Sequence, residues 1–132
     1  MISLLHYFGA KPHTQEHIDN ATDLLTRVCA LLARLNHTGP ICPNTGTWIS
    51  GSKGGSGDGG FRLSTATTGK ASSSHKEAKG IDIYDPQHEL SNKITDALLE
   101  EFGLYREAPI ATPTWCHLTT RAPRSNRRTF LP

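Results

Sequence analysis

Ser73-Ser74-His75-Lys76-Glu77-Ala78-Lys79-Gly80-Ile81-Asp82 places an imidazole and a carboxylate seven residues apart. The imidazole closes a polar loop. The carboxylate lies in a short apolar run, Ile81-Asp82-Ile83-Tyr84. Side chains alternate along a strand, so Ile81 and Ile83 face one way, toward a core, and Asp82 faces the other, into a cleft. A second apolar run, Trp115-Cys116-His117-Leu118, puts Trp115 and His117 on one face and Cys116 and Leu118 on the other. His75, Asp82 and His117 are two imidazoles and one carboxylate, a three-ligand set of the kind that binds catalytic zinc and leaves its fourth position to water. Spacing alone also admits a plainer reading: a solvated His, an edge-strand Asp and an unrelated core His.

Outward from this stretch, the chain divides cleanly. Residues 1–12 are a short apolar lead-in that packs on the core. From about 15 to 36, Ile18, Ala21, Leu24, Leu25, Val28, Leu31, Leu32 and Leu35 recur at helical steps. Thr14 is the expected N-cap, and Asn36-His37-Thr38-Gly39-Pro40 ends the helix. His13-Thr14-Gln15-Glu16-His17 spells an inverted zinc-protease signature. With Thr14 as cap, His13 lies outside the helix and cannot sit one turn from His17, so this site is rejected. Thr47 to Gly51 reads as a strand. Residues 51–74 form a Gly/Ser/Thr-rich loop that leads into His75 and reads as a rim or lid of the cleft. Gly69-Lys70 fails as a P-loop because Ser64 stands where a Gly is needed.

Beyond the Asp82 strand, Asp85-Pro86 has the form of a helix start, and the helix is expected to run to Phe102. Its apolar face is Leu90, Ile94, Ala97, Leu98 and Phe102, Gly103 closes it, and His88 faces solvent. Leu104 to Glu107 and Trp115 to Leu118 are strands around a Pro-bearing turn. The expected fold is α+β, a small antiparallel sheet backed by two main helices. Residues 121–132 form an Arg-rich tail that reads as a solvated face, with attraction to an anionic surface as a weaker alternative.

The chain has 132 residues, enough for a single domain (1–132) with one core. A net charge of +2 is too small to argue for nucleic acid. No apolar run approaches the length of a membrane span, and no secretory signal is visible, so synthesis in the cytoplasm is expected. Cys29, Cys42 and Cys116 cannot all pair, and none forms a C-x-x-C, which fits a reduced compartment.

The 73–82 stretch resembles the zinc D-Ala-D-Ala metallopeptidase family, the group that also holds lysostaphin-type enzymes and the Hedgehog signalling domain. The family pattern is S-x-H-x-x-G-x-A-x-D, followed downstream by a strand ending in W-x-H or x-x-H. Ser73, His75 and Asp82 match it, as does Trp115-Cys116-His117. Ala78 and Gly80 exchange the family's Gly and Ala, a small-for-small departure expected to be tolerated. The likeness runs over most of the chain and is nearest to small phage-encoded members. It implies a Hedgehog/D-Ala-D-Ala peptidase-like domain with zinc on His75, Asp82 and His117. It further implies hydrolysis of amide bonds in peptidoglycan stem peptides or cross-links by a monomer acting on the cell wall, reached from a virion or on host lysis. Ser73 and Trp115 are the implied groove residues.

Two departures bear on function. The family carries S-G-x-R where this chain has Ser50-Gly51-Ser52-Lys53. Lys53 reads equally as a point-charge substitute for the substrate-binding Arg and as a loop lysine. The family's general-base carboxylate stands three residues before the second His, where this chain has Thr114. Glu107 is the nearest upstream carboxylate and the candidate base, or else a turn-flanking Glu with no role. A non-hydrolytic zinc-containing wall-binding or structural module is therefore the alternative.

Overall fold

The computed structural model describes residues 2–37, 59–67 and 72–132. The 47–51 strand, Lys53 and Cys42 lie outside the described residues, as does much of the 51–74 loop. Helix α1 (Leu4–Phe8) converts the apolar lead-in into a single capped turn that buries Tyr7 and Phe8. Helix α2 (Gln15–Arg34) begins where the sequence places it: Thr14 Oγ1 accepts from the His17 amide, and His17 Nδ1 accepts from the Thr14 amide. Its buried stripe is Ala21, Leu24, Leu25, Val28, Leu31 and Leu32. His13 stacks on Phe8 and His17 tilts against Phe61, so neither faces a shared ligand.

Strand β1 (Gly80–Tyr84) pairs antiparallel with β3 (Trp115–Thr119), and β3 pairs antiparallel with β2 (Tyr105–Glu107). A fourth strand, β4 (Thr129–Phe130), lies parallel to β2 at the edge, giving the order β1-β3-β2-β4. The sheet is therefore mixed rather than antiparallel. The Arg-rich C-terminal segment is not a free solvated tail. Its backbone bonds to β2 through Arg106 N to Arg128 O and Ala108 N to Phe130 O. Arg128 donates to Leu104 O and stacks over the Tyr105 ring.

The expected second long helix is broken in two. It splits into α3 (Glu89–Lys93) and α4 (Asp96–Phe102). Asp85 is buried and does not act as an adjacent N-cap. Its carboxylate reaches forward to accept from the amides of Leu90 and Ser91 and from the Ser91 hydroxyl. Ile94 leaves helical conformation, and Thr95 caps a fresh start by accepting from the Leu98 amide. The restart shifts the helical phase, so Leu99 is buried while Ala97 is exposed. His88 is half-buried, and its Nε2 donates to Pro113 O. Gly103 closes α4 at φ 66°, a left-handed position that favours glycine, with the flexible end of the Arg27 side chain beside it.

One face of the sheet meets the helices. Ile81 and Ile83 of β1 and Cys116 and Leu118 of β3 join the α2 stripe, Leu90, Leu99 and Leu104 in a single core. Burial pushes the Cys116 thiol up to about 12, which leaves it an inert core residue. The alternate residues of the same strands face away from this core.

Candidate metal centre

The opposite face of the sheet carries Asp82 from β1 and His117 from β3, directly paired in register. β1 is held at its start by the buried Tyr7 hydroxyl, which donates to Gly80 O. His75 arrives from outside the sheet, on a 3-10 turn, Ser74–Glu77. Ser73 caps that turn, its hydroxyl accepting from the His75 amide. The turn ends at Ala78 in left-handed conformation (φ 58°), which delivers the chain into β1. Among the described residues, His75, Asp82 and His117 form the single group of three or more ligating side chains able to hold a metal ion.

The donor atoms are specific. His75 Nε2 lies 3.3 Å from His117 Nδ1 and 3.3 Å from Asp82 Oδ1, and His117 Nδ1 lies 2.8 Å from Asp82 Oδ1. Bonds of about 2.0–2.1 Å to a tetrahedral cation imply donor–donor edges of about 3.3 Å. The three atoms thus already approximate one face of such a tetrahedron. Each ligand is also held from behind. His75 Nδ1 donates to Gly60 O at 2.8 Å, which keeps a proton on Nδ1 and turns Nε2 toward Asp82 and His117. Asp82 Oδ2 accepts from Arg62 at 3.1 Å, leaving Oδ1 to the two imidazoles. His117 Nε2 faces the Ser74 hydroxyl at 3.4 Å. Burial alone would raise the Asp82 pKa. The charge of His75 and hydrogen bonds from both imidazoles outweigh it and hold the carboxyl well below the usual range, so Asp82 is an anion ready to ligate.

The triad opens into a cavity of about 620 Å³. Ser73, Trp115 and Glu107 all line it. Continuing the Arg106–Leu118 register by one residue sets Glu107 beside His117 on the same sheet face. The Glu107 side chain is half-buried and has no hydrogen-bond or ion-pair partner among the described residues. Thr114 is exposed and does not line the cavity.

Four contributors were not read from the sequence. Arg62, buried beside Asp82, follows a glycine run that masked the Phe61-Arg62-Leu63 alternation as loop. Ser74 carried no signal, being one serine among three. Arg121 and Arg124 line the cavity only because β4 draws the C-terminal segment back along its wall. Arg121 is paired with Glu77, whereas Arg124 is exposed and unpaired among the described residues. No protein-family model, curated protein or solved structure matches the chain. Among the described residues, no helix is long and apolar enough to cross a membrane.

Proposed function

We propose that this chain is a zinc-dependent peptidase that hydrolyses amide bonds in peptidoglycan stem peptides or cross-links, of carboxypeptidase or endopeptidase type. One observation carries the reading: three preorganised donors at the floor of an open cavity, with an unpaired carboxylate, Glu107, on the same face. The donor set of two imidazoles and one carboxylate suits zinc. The choice of wall peptide rests on the resemblance of the 73–82 and 115–117 segments.

His75 would hold the ion through Nε2, His117 through Nδ1 and Asp82 through Oδ1, the atoms that face one another. Bound there, zinc supplies Lewis acidity toward a scissile carbonyl and toward water. Glu107 takes the proton of the attacking water at its carboxylate and returns it to the departing amine. Trp115 offers an apolar wall for the peptide. Arg124, a cation at the rim, favours a substrate that carries a carboxylate.

The alternative is a module that keeps the metal for wall binding or stability without turnover. Thr114, in place of the family's carboxylate, favours it. Glu107, which supplies a carboxylate from the neighbouring strand, weighs against it. Mass spectrometry of cross-linked muropeptides incubated with the zinc-loaded protein, with and without chelator, separates the two. New fragments that vanish with chelator are expected, and their masses identify the bond. Intact muropeptides from a protein shown to hold zinc would leave only the module.

A further inference from the structure

The two imidazoles of the triad are held by different kinds of partner. Behind His75 is a carbonyl, Gly60 O, which can only accept. His75 therefore keeps its Nδ1 proton whatever the centre contains. Behind His117 is a hydroxyl, Ser74 Oγ, at 3.4 Å from Nε2. A hydroxyl can donate or accept.

That difference matches the demands on each ring. With no cation present, His117 Nδ1 carries a proton and donates to Asp82 Oδ1, 2.8 Å away. Nε2 then needs a donor, which Ser74 provides. With a cation in the centre, Nδ1 must present its lone pair, so the proton sits on Nε2 and needs an acceptor. Ser74 provides that too, by rotating its hydroxyl hydrogen. A carbonyl at this place would serve only the second state, and a methyl group neither.

The backbone is shaped around this contact. Ser74 is buried, and a Cβ on Gly80 would come within 2.3 Å of Ser74 Oγ and 3.1 Å of His117 Cε1. Glycine at position 80 is what lets the hydroxyl reach the ring. Ser74 Oγ has no other hydrogen-bond partner among the described residues.

We propose that Ser74 is a positioning residue for the metal centre, its hydroxyl reversing between donor and acceptor so that His117 can exchange a proton on Nδ1 for a cation. This rests on the reading of His75, Asp82 and His117 as a metal site. Ser74→Ala should weaken zinc binding by roughly 10–100-fold, the usual cost of losing such an outer partner, while the fold is kept. Titration of zinc into the metal-free protein and its Ser74→Ala variant, followed by calorimetry, reads this directly. Nitrogen-15 NMR of the zinc-loaded proteins gives a second readout that a general packing defect would not produce. A protected His117 Hε2 signal is expected in the unaltered protein and is expected to be lost from Ser74→Ala.

If the unaltered protein takes up no zinc, the triad reading fails and the Ser74 role falls with it. If it takes up zinc and Ser74→Ala matches it within about twofold, the triad stands and the Ser74 role alone is overturned. An unchanged Hε2 signal in Ser74→Ala overturns it equally.

Discussion

A side chain on Gly80 would meet Ser74 Oγ at 2.3 Å, while Ala78, two residues earlier, sits at φ 58° with its methyl fully buried. The sequence pattern treats these two positions as interchangeable small residues, and their surroundings show that they are not. Gly80→Ala must displace Ser74 or His117, so it should destabilise by about 1–3 kcal/mol and weaken metal binding, as overpacking against a fixed site does. Ala78→Gly loses a buried methyl worth about 0.8 kcal/mol. It also relieves a left-handed alanine at about 1–2 kcal/mol, so the change should be neutral to stabilising by up to about 1 kcal/mol. Denaturant melts of the two variants check this ordering, and equal destabilisation would refute it. The triad itself was legible at this scale, because alternation assigns the faces of Asp82 and His117 in their short strands and His75 stands seven residues before Asp82. Ser74 and Arg62 were not, because their roles depend on a close backbone approach and on a chain reversal that no local pattern encodes.

Among the elements, α2 was readable nearly to its ends, since twenty residues of helical period and a capping threonine agree. The region from Asp85 to Phe102 departs from a single helix for a physical reason. Its apolar spacing tolerates a single helix, but Thr95 competes for the Leu98 amide and starts a new one. Asp85 compensates by accepting three hydrogen bonds at the head of α3. Asp85→Ala would leave the Leu90 and Ser91 amides without that partner in a buried setting. It should cost about 2–4 kcal/mol, above an ordinary exposed cap. Thermal or denaturant unfolding measures it, and a loss under about 0.5 kcal/mol would show that α3 does not depend on this carboxylate. β4 escaped notice because two residues carry no alternation. Its place is set by partners far off in sequence: Arg106 donates to the Thr129 hydroxyl, which donates to Asp96.

For the molecule as a whole, the division of labour runs across the sheet. One face is packed against the helices, and the other presents the donor triad, Glu107 and Trp115 to a cavity that the C-terminal segment helps to wall. On the proposed reading, metal ligands and base are separable by substitution. Glu107→Gln should keep zinc and lower muropeptide hydrolysis by about 10²–10⁴-fold, the span of a lost general base. Unchanged turnover would remove Glu107 from the mechanism. Chelation should lower the melting temperature as well as any turnover, because a bound ion stabilises the folded state by mass action.

The most direct test is elemental mass spectrometry of the purified protein beside His75→Ala, Asp82→Ala and His117→Ala, each dialysed against trace zinc and competing divalent metals. One zinc per chain is expected in the unaltered protein, with the metal lost from every variant, since a three-residue set has no spare ligand. Full occupancy in any one variant, or no zinc in the unaltered protein, would contradict the assignment.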